Sequence, residues 1–75
     1  VLSPMVGTYY EASAPGSPNF VAIGDQVKAG DTLCIIEAMK MMNQIEADVD
    51  GKVIAALAKN GEPVEFGQPL FVIEP

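Results

Sequence analysis

Lys40 lies in Ala38-Met39-Lys40-Met41-Met42, a primary amine with three methionines within three residues. A lysine in such a setting has two chemistries open to it. It can attack a carbonyl itself, which requires a desolvated pocket that lowers its pKa. Alternatively it can be presented to solvent on a turn, where it reaches outward toward another protein. The methionines bear on the choice, because flexible thioethers form an adaptable contact surface for another protein.

Little else in the chain could do chemistry. Among 75 residues there are ten carboxylates, four lysines and no histidine, for a net charge of −6. Without histidine, most catalytic triads and zinc sites are excluded; no catalytic and no metal-ligating residue is expected. The lone Cys34, in Leu33-Cys34-Ile35-Ile36, reads as a small buried hydrophobe with no disulfide partner, which suits a reducing compartment. A domain this small has little interior to spare for a substrate cavity. The negative charge disfavours nucleic acid and anionic membrane surfaces. The longest apolar run, Val53 to Ala58, is six residues, far below the roughly 18 a membrane span needs. The partners expected are proteins.

The elements that must position Lys40 follow from an internal repeat. Val27-Lys-Ala-Gly-Asp-Thr-Leu-Cys-Ile-Ile-Glu37 aligns with Val64-Glu-Phe-Gly-Gln-Pro-Leu-Phe-Val-Ile-Glu74 at an offset of 37, with five of eleven positions identical. Farther back, Gly7 corresponds to Gly51 at an offset of 44, so the first half carries seven extra residues. Gly7 with Gly51, Gly24 with Gly61 and Gly30 with Gly67 make three glycine pairs, marking turns that recur twice. Short runs of Val, Ile, Leu, Phe and Tyr between them read as strands. The expected fold is all-β, a flattened barrel or sandwich of two similar halves related by a pseudo-two-fold axis. Val53-Ile-Ala-Ala-Leu-Ala-Lys59 has helical composition, yet too few residues separate Gly51 from Gly61 for a stable helix, so it reads as strand.

Lys40 then falls at the joint between the halves, on a tight hairpin tip at the pole opposite the C-terminus. The extra residues fall between Gly7 and Gly24, where Glu11-Ala-Ser-Ala-Pro-Gly-Ser-Pro-Asn19 is loop-like; its two prolines lower the entropy lost on ordering and favour a shaped protrusion. The chain starts at Val1 in ordered-looking sequence and reads as one domain, residues 1–75, the C-terminal part of something longer.

Glu37-Ala38-Met39-Lys40-Met41 resembles the biotin attachment motif of biotin carboxyl carrier domains. Met42-Asn43-Gln44-Ile45-Glu46-Ala47-Asp48, the opening Ser3-Pro4-Met5-Val6-Gly7-Thr8 and the ending Pro69-Leu70-Phe71-Val72-Ile73-Glu74 are similar to the carrier subunit of bacterial and plastid acetyl-CoA carboxylases. The resemblance covers essentially the whole chain. It implies the biotinyl/lipoyl-like hammerhead, or barrel-sandwich hybrid, a flattened β-barrel or sandwich of two pseudo-two-fold-related four-stranded antiparallel sheets, with a thumb inserted within 10–20; Ala12, Ser13, Ala14, Pro15, Gly16, Ser17 and Pro18 form that thumb. It implies that biotin is amide-linked to Lys40, and that Glu37, Ala38, Met39 and Met41 take part in recognition by a biotin protein ligase.

The same resemblance implies a carrier with no catalysis of its own, working in fatty acid synthesis in the bacterial cytoplasm or plastid stroma. Biotin is carboxylated at a biotin carboxylase with ATP and bicarbonate, then discharged at a carboxyltransferase onto acetyl-CoA to give malonyl-CoA. Lysine and biotin chain together reach roughly 14 Å, with longer travel left to movement of the domain on an upstream linker. Other readings compete. A lipoyl domain usually flanks its lysine with Asp and Ala, against Met39 and Met41 here. Other biotin-dependent carboxylases or decarboxylases carry a similar core but generally lack the thumb. A Schiff-base lysine needs a pocket that an exposed turn does not offer, and a purely structural β module leaves the methionine-lysine turn unexplained.

Overall fold

Seven strands alternate with turns in the computed structural model, which describes all residues from Val1 to Pro75: β1 (Gly7–Tyr10), β2 (Gln26–Val27), β3 (Thr32–Ala38), β4 (Met41–Glu46), β5 (Gly51–Ala56), β6 (Pro63–Val64) and β7 (Phe71–Glu74). One antiparallel sheet runs β4-β3-β1-β6 and the other β2-β5-β7. The two sheets are separate, so the architecture is a sandwich rather than a closed barrel. The second sheet has three strands; a single bridge between Leu2 and Pro69 occupies the place that the Thr32–Glu46 pair holds in the first. Segment 53–59 begins as strand: Val53 is fully buried between the exposed Lys52 and Ile54, and this alternation within β5 overrides helical composition.

The repeat is realised bond by bond. Gly24 N donates to Val53 O and Gly61 N to Tyr9 O, each at 2.7 Å; Gly30 N donates to Ala47 O and Gly67 N to Ser3 O, each at 2.8 Å. In every pair the glycine of one half is wired into the other half, so the halves interlock rather than stack. Side chains repeat the scheme: Asp31 Oδ2 accepts from Lys28 N at 2.9 Å and Gln68 Oε1 from Glu65 N at 3.0 Å. Gly7 and Gly51 are required by close approach. A Cβ at Gly7 would collide with the Glu37 carbonyl and lie 2.6 Å from Ile36 Cγ2, and one at Gly51 would meet the matching Glu74 carbonyl and Ile73 Cγ2.

Both sheets contribute to one core, including Tyr9, Leu33, Cys34, Ile36, Val53, Val64, Leu70 and Phe71. The Tyr9 and Phe71 rings meet at 6.2 Å and 49°, an inclined aromatic contact. Burial pushes the Cys34 thiol up to about 12, so it is an inert packing group, as its apolar neighbours in the chain suggest.

Candidate functional site: the Lys40 hairpin and the neighbouring groove

Strands β3 and β4 pair from Thr32–Glu46 out to Ala38–Met41, which leaves only Met39 and Lys40 to make the turn. A two-residue hairpin of right-handed twist favours a type I′ turn, with positive φ at both central positions and a strong preference for Asn-Gly. Met39 has φ 52° and Lys40 φ 64°. They are the only non-glycine residues with positive φ in the chain. Left-handed backbone costs an ordinary residue about 1–2 kcal/mol, so the tip holds two side chains where folding alone would favour glycine and asparagine. Met39 is 94% exposed, and Lys40 and Met41 are exposed beside it.

The neck beneath the tip is braced. Asn43 Nδ2 donates to the carbonyls of Ile36 and Met41, each at 3.3 Å, tying both strands of the hairpin together just below the turn. Sequence reasoning missed Asn43, because an asparagine in a strand carries no signal of which carbonyls it will find. Glu37 and Ala38 end β3: Glu37 pairs with Met42 and with Thr8 of β1, and Ala38 with Met41.

Segment 11–20 turns back on itself. Ala12 bridges Asn19, Phe20 N donates to Glu11 O at 3.0 Å, and Ser17 N donates to Ala14 O at 3.1 Å around Gly16, whose φ is 82°. Its base is anchored across the sandwich, Glu11 N donating to Asn60 Oδ1 at 3.0 Å; Asn60 too had no signal in the sequence. Between this protrusion and the hairpin neck lies a groove of about 370 Å³, with Tyr10, Ala12, Ser13, Pro15, Glu37 and Met42 in its walls. Ala14, Gly16 and Ser17 also line it, while Pro18 does not. The structure therefore brings the base of the Lys40 hairpin and the protruding segment onto one cleft. Glu37 and Met42 belong to both, and Met39 and Met41 stand outside it.

These features fit a covalently carried group better than a bound substrate: the amine is free of the core, its two-residue turn is braced at the neck, and an open, mixed polar and apolar groove lies alongside. Comparisons with known proteins agree. Residues 1–73 match the family described as biotin-requiring enzyme. The biotin carboxyl carrier protein of acetyl-CoA carboxylase from Nostoc sp. is 63% identical over all 75 residues, which are 41% of that protein. The Pseudomonas aeruginosa protein of the same name is 63% identical over 97% of this chain and 47% of its own length, and a chloroplastic one from Arabidopsis thaliana is 52% identical over the full chain and 27% of its length. The chain thus spans less than half the length of these relatives. Among solved structures, Kluyveromyces lactis urea carboxylase superposes with TM-score 0.81 at 39% identity, over 99% of this chain and 6% of that one. A single-chain, multi-domain long-chain acyl-CoA carboxylase superposes with TM-score 0.79 at 27% identity, over 95% and 6%. With its hairpin lysine, its duplicated sandwich and a match that spans nearly every residue, the chain belongs to the biotin-requiring enzyme family.

Proposed function

We propose that this chain is the carrier domain of an acetyl-CoA carboxylase and that Lys40 bears its biotin. The observation that carries the reading is the turn: a lysine and a methionine occupy left-handed positions at the tip of a braced hairpin, where neither packing nor propensity asks for them. Biotin amide-linked to that nitrogen supplies a ring that takes up carboxylate at one active site and gives it up at another. The chain's own part is positional. Acylation removes the Lys40 charge, taking the net from −6 to −7, and the lysine stem adds its length to the arm while the hairpin holds the pivot still. Ordinary lysine is almost wholly ammonium at neutral pH, so a biotin protein ligase must bring an activated acyl group. Glu37, Ala38, Met39 and Met41 form the surface that ligase reads.

The protrusion formed by Ala12 to Pro18 contacts the carried ring or a partner enzyme, and the groove beside Glu37 and Met42 supports this assignment. Biotin carboxylase and carboxyltransferase subunits are the other partners. Bacterial and chloroplastic relatives support the bacterial cytoplasm or the plastid stroma as its compartment. No helix is long and apolar enough to cross a membrane.

Incubation with ligase, ATP and biotin, followed by peptide mapping, tests the assignment. One label on Lys40 is expected, with Lys40→Arg folded and unlabelled. Stoichiometric label on Lys28, Lys52 or Lys59, or retained streptavidin binding by Lys40→Arg, overturns it.

A further inference from the structure

The pseudo-two-fold axis supplies an internal control for the surface around Lys40. Strand β1 pairs Thr8 with Glu37 and, on its other side, Gly7 with Val64. Val6, one residue beyond Gly7, and Phe66, two beyond Val64 with Glu65 between, therefore lie at the same end of the sandwich as the hairpin tip. Both are large apolar side chains left in solvent, Phe66 at 76% and Val6 at 67% exposure, alongside Met39 and the 64% exposed Met41. At the opposite end the matched positions, 44 and 37 residues away, are Asp50 and Ala29. There the pair is closed by a hydrogen bond, Ala29 N donating to Asp50 Oδ1 at 2.8 Å. Two of the other lysines stand at that polar end: Lys52 pairs with Gln26 and Glu74, and Lys28 follows Val27, which pairs with Gly51. The same backbone thus places large exposed apolar side chains around Lys40, with Glu37 and Glu65 among them, where the other end has Asp50 and Ala29. Folding does not require the difference.

We propose that Val6 and Phe66, with Met39 and Met41, form an apolar docking surface for the enzyme that acylates Lys40, and that this surface selects Lys40 over Lys28 and Lys52. The proposal rests on Lys40 being the biotinylated residue. The occupant follows from reach. An acylating enzyme must bring its reacting carbonyl to Nζ, only about 6 Å from the backbone along the lysine stem, so its body covers the residues around the tip. Enzymes that use the loaded arm work near the far end of a reach of roughly 14 Å and can leave the tip uncovered. The partner surface is accordingly apolar around its acyl-transfer site.

The experiment measures initial rates of biotinylation by a biotin protein ligase with ATP and biotin, over a range of chain concentrations. Phe66→Ser and Val6→Ser should each lower kcat/KM about tenfold or more, mainly through KM, the scale expected when a buried apolar side chain is lost from an interface. Phe66→Leu should recover most of the rate, and Asp50→Ser at the matched position should stay within twofold of the original chain. Thermal melts establish that the variants are folded; in the unsubstituted chain, ligase should slow hydrogen exchange at Val6 and Phe66. Unchanged KM in both serine variants, or no exchange protection, overturns the docking surface while Lys40 labelling stands. Absence of label on Lys40 in the unsubstituted chain overturns the underlying reading instead.

Discussion

At one end of the sandwich Val6 and Phe66 face solvent beside the Lys40 turn; at the other, Asp50 and Ala29 fill the matched positions and satisfy each other. The backbone beneath is largely the same: glycine turns and cross-half hydrogen bonds recur pair by pair, and strand registers recur as far as Val53, after which a register shift sets Ala55 rather than Ile54 against Val72. What recurs is what the fold needs, and what differs is available for function. The joint between the halves adds the closed β3–β4 hairpin with its Asn43 brace, and the first half alone has the protruding segment 11–20.

The sharpest way to break this comparison is at the two glycines that both halves share. Gly7→Ala and Gly51→Ala each force a Cβ into a neighbouring strand carbonyl, and overpacking of that kind costs about 1–3 kcal/mol. The losses in urea unfolding should be similar; a loss at only one site would limit the symmetry to the backbone trace. Next comes alkaline pH. Cys34 occupies the place that Phe71 holds in the second half, and burial raises its pKa from 9.0 to about 12. The folded chain keeps the thiol protonated while the unfolded chain loses the proton, so stability is full below pH 9 and falls from there toward 12, by at most about 1.4 kcal/mol per pH unit. Buried Tyr9, shifted in the same direction, steepens the decline at its upper end. Cys34→Ala should flatten the fall near pH 9–10 in denaturant titrations.

Smaller effects concern the hairpin itself. Replacing Met39→Asn and Lys40→Gly together should stabilise the fold by about 1 kcal/mol, since the turn then has the residues its φ angles favour, while biotinylation vanishes. No gain in melting temperature would mean that the left-handed turn carries no strain. Asn43→Ala removes two long hydrogen bonds and should cost about 1 kcal/mol, with faster hydrogen exchange confined to the β3–β4 neck rather than spread to β5–β7.

Much of this molecule was legible because it is written twice. The glycine pairs and the Val-Gly-Leu-Ile-Glu correspondence revealed paired turns and an all-β duplication, and the two unequal offsets located the extra segment. The apolar run around Cys34 foretold its burial. Pattern alone could not show that the second sheet is completed by a single Leu2–Pro69 bridge, because strand pairing depends on register between distant segments. Nor could it show Asn43 and Asn60 as braces: side-chain amides bond whichever carbonyl or N–H the tertiary fold delivers. Nothing in the pattern distinguishes Phe66 from a core residue such as Val64; only its exposure does.

A loop with no spare residues has no slack. The Met39-Lys40 turn, closed by paired strands on both sides, makes its tip a fixed fulcrum: rotation about the arm's own bonds is the cargo's local freedom, and displacement beyond that length moves the whole sandwich with it.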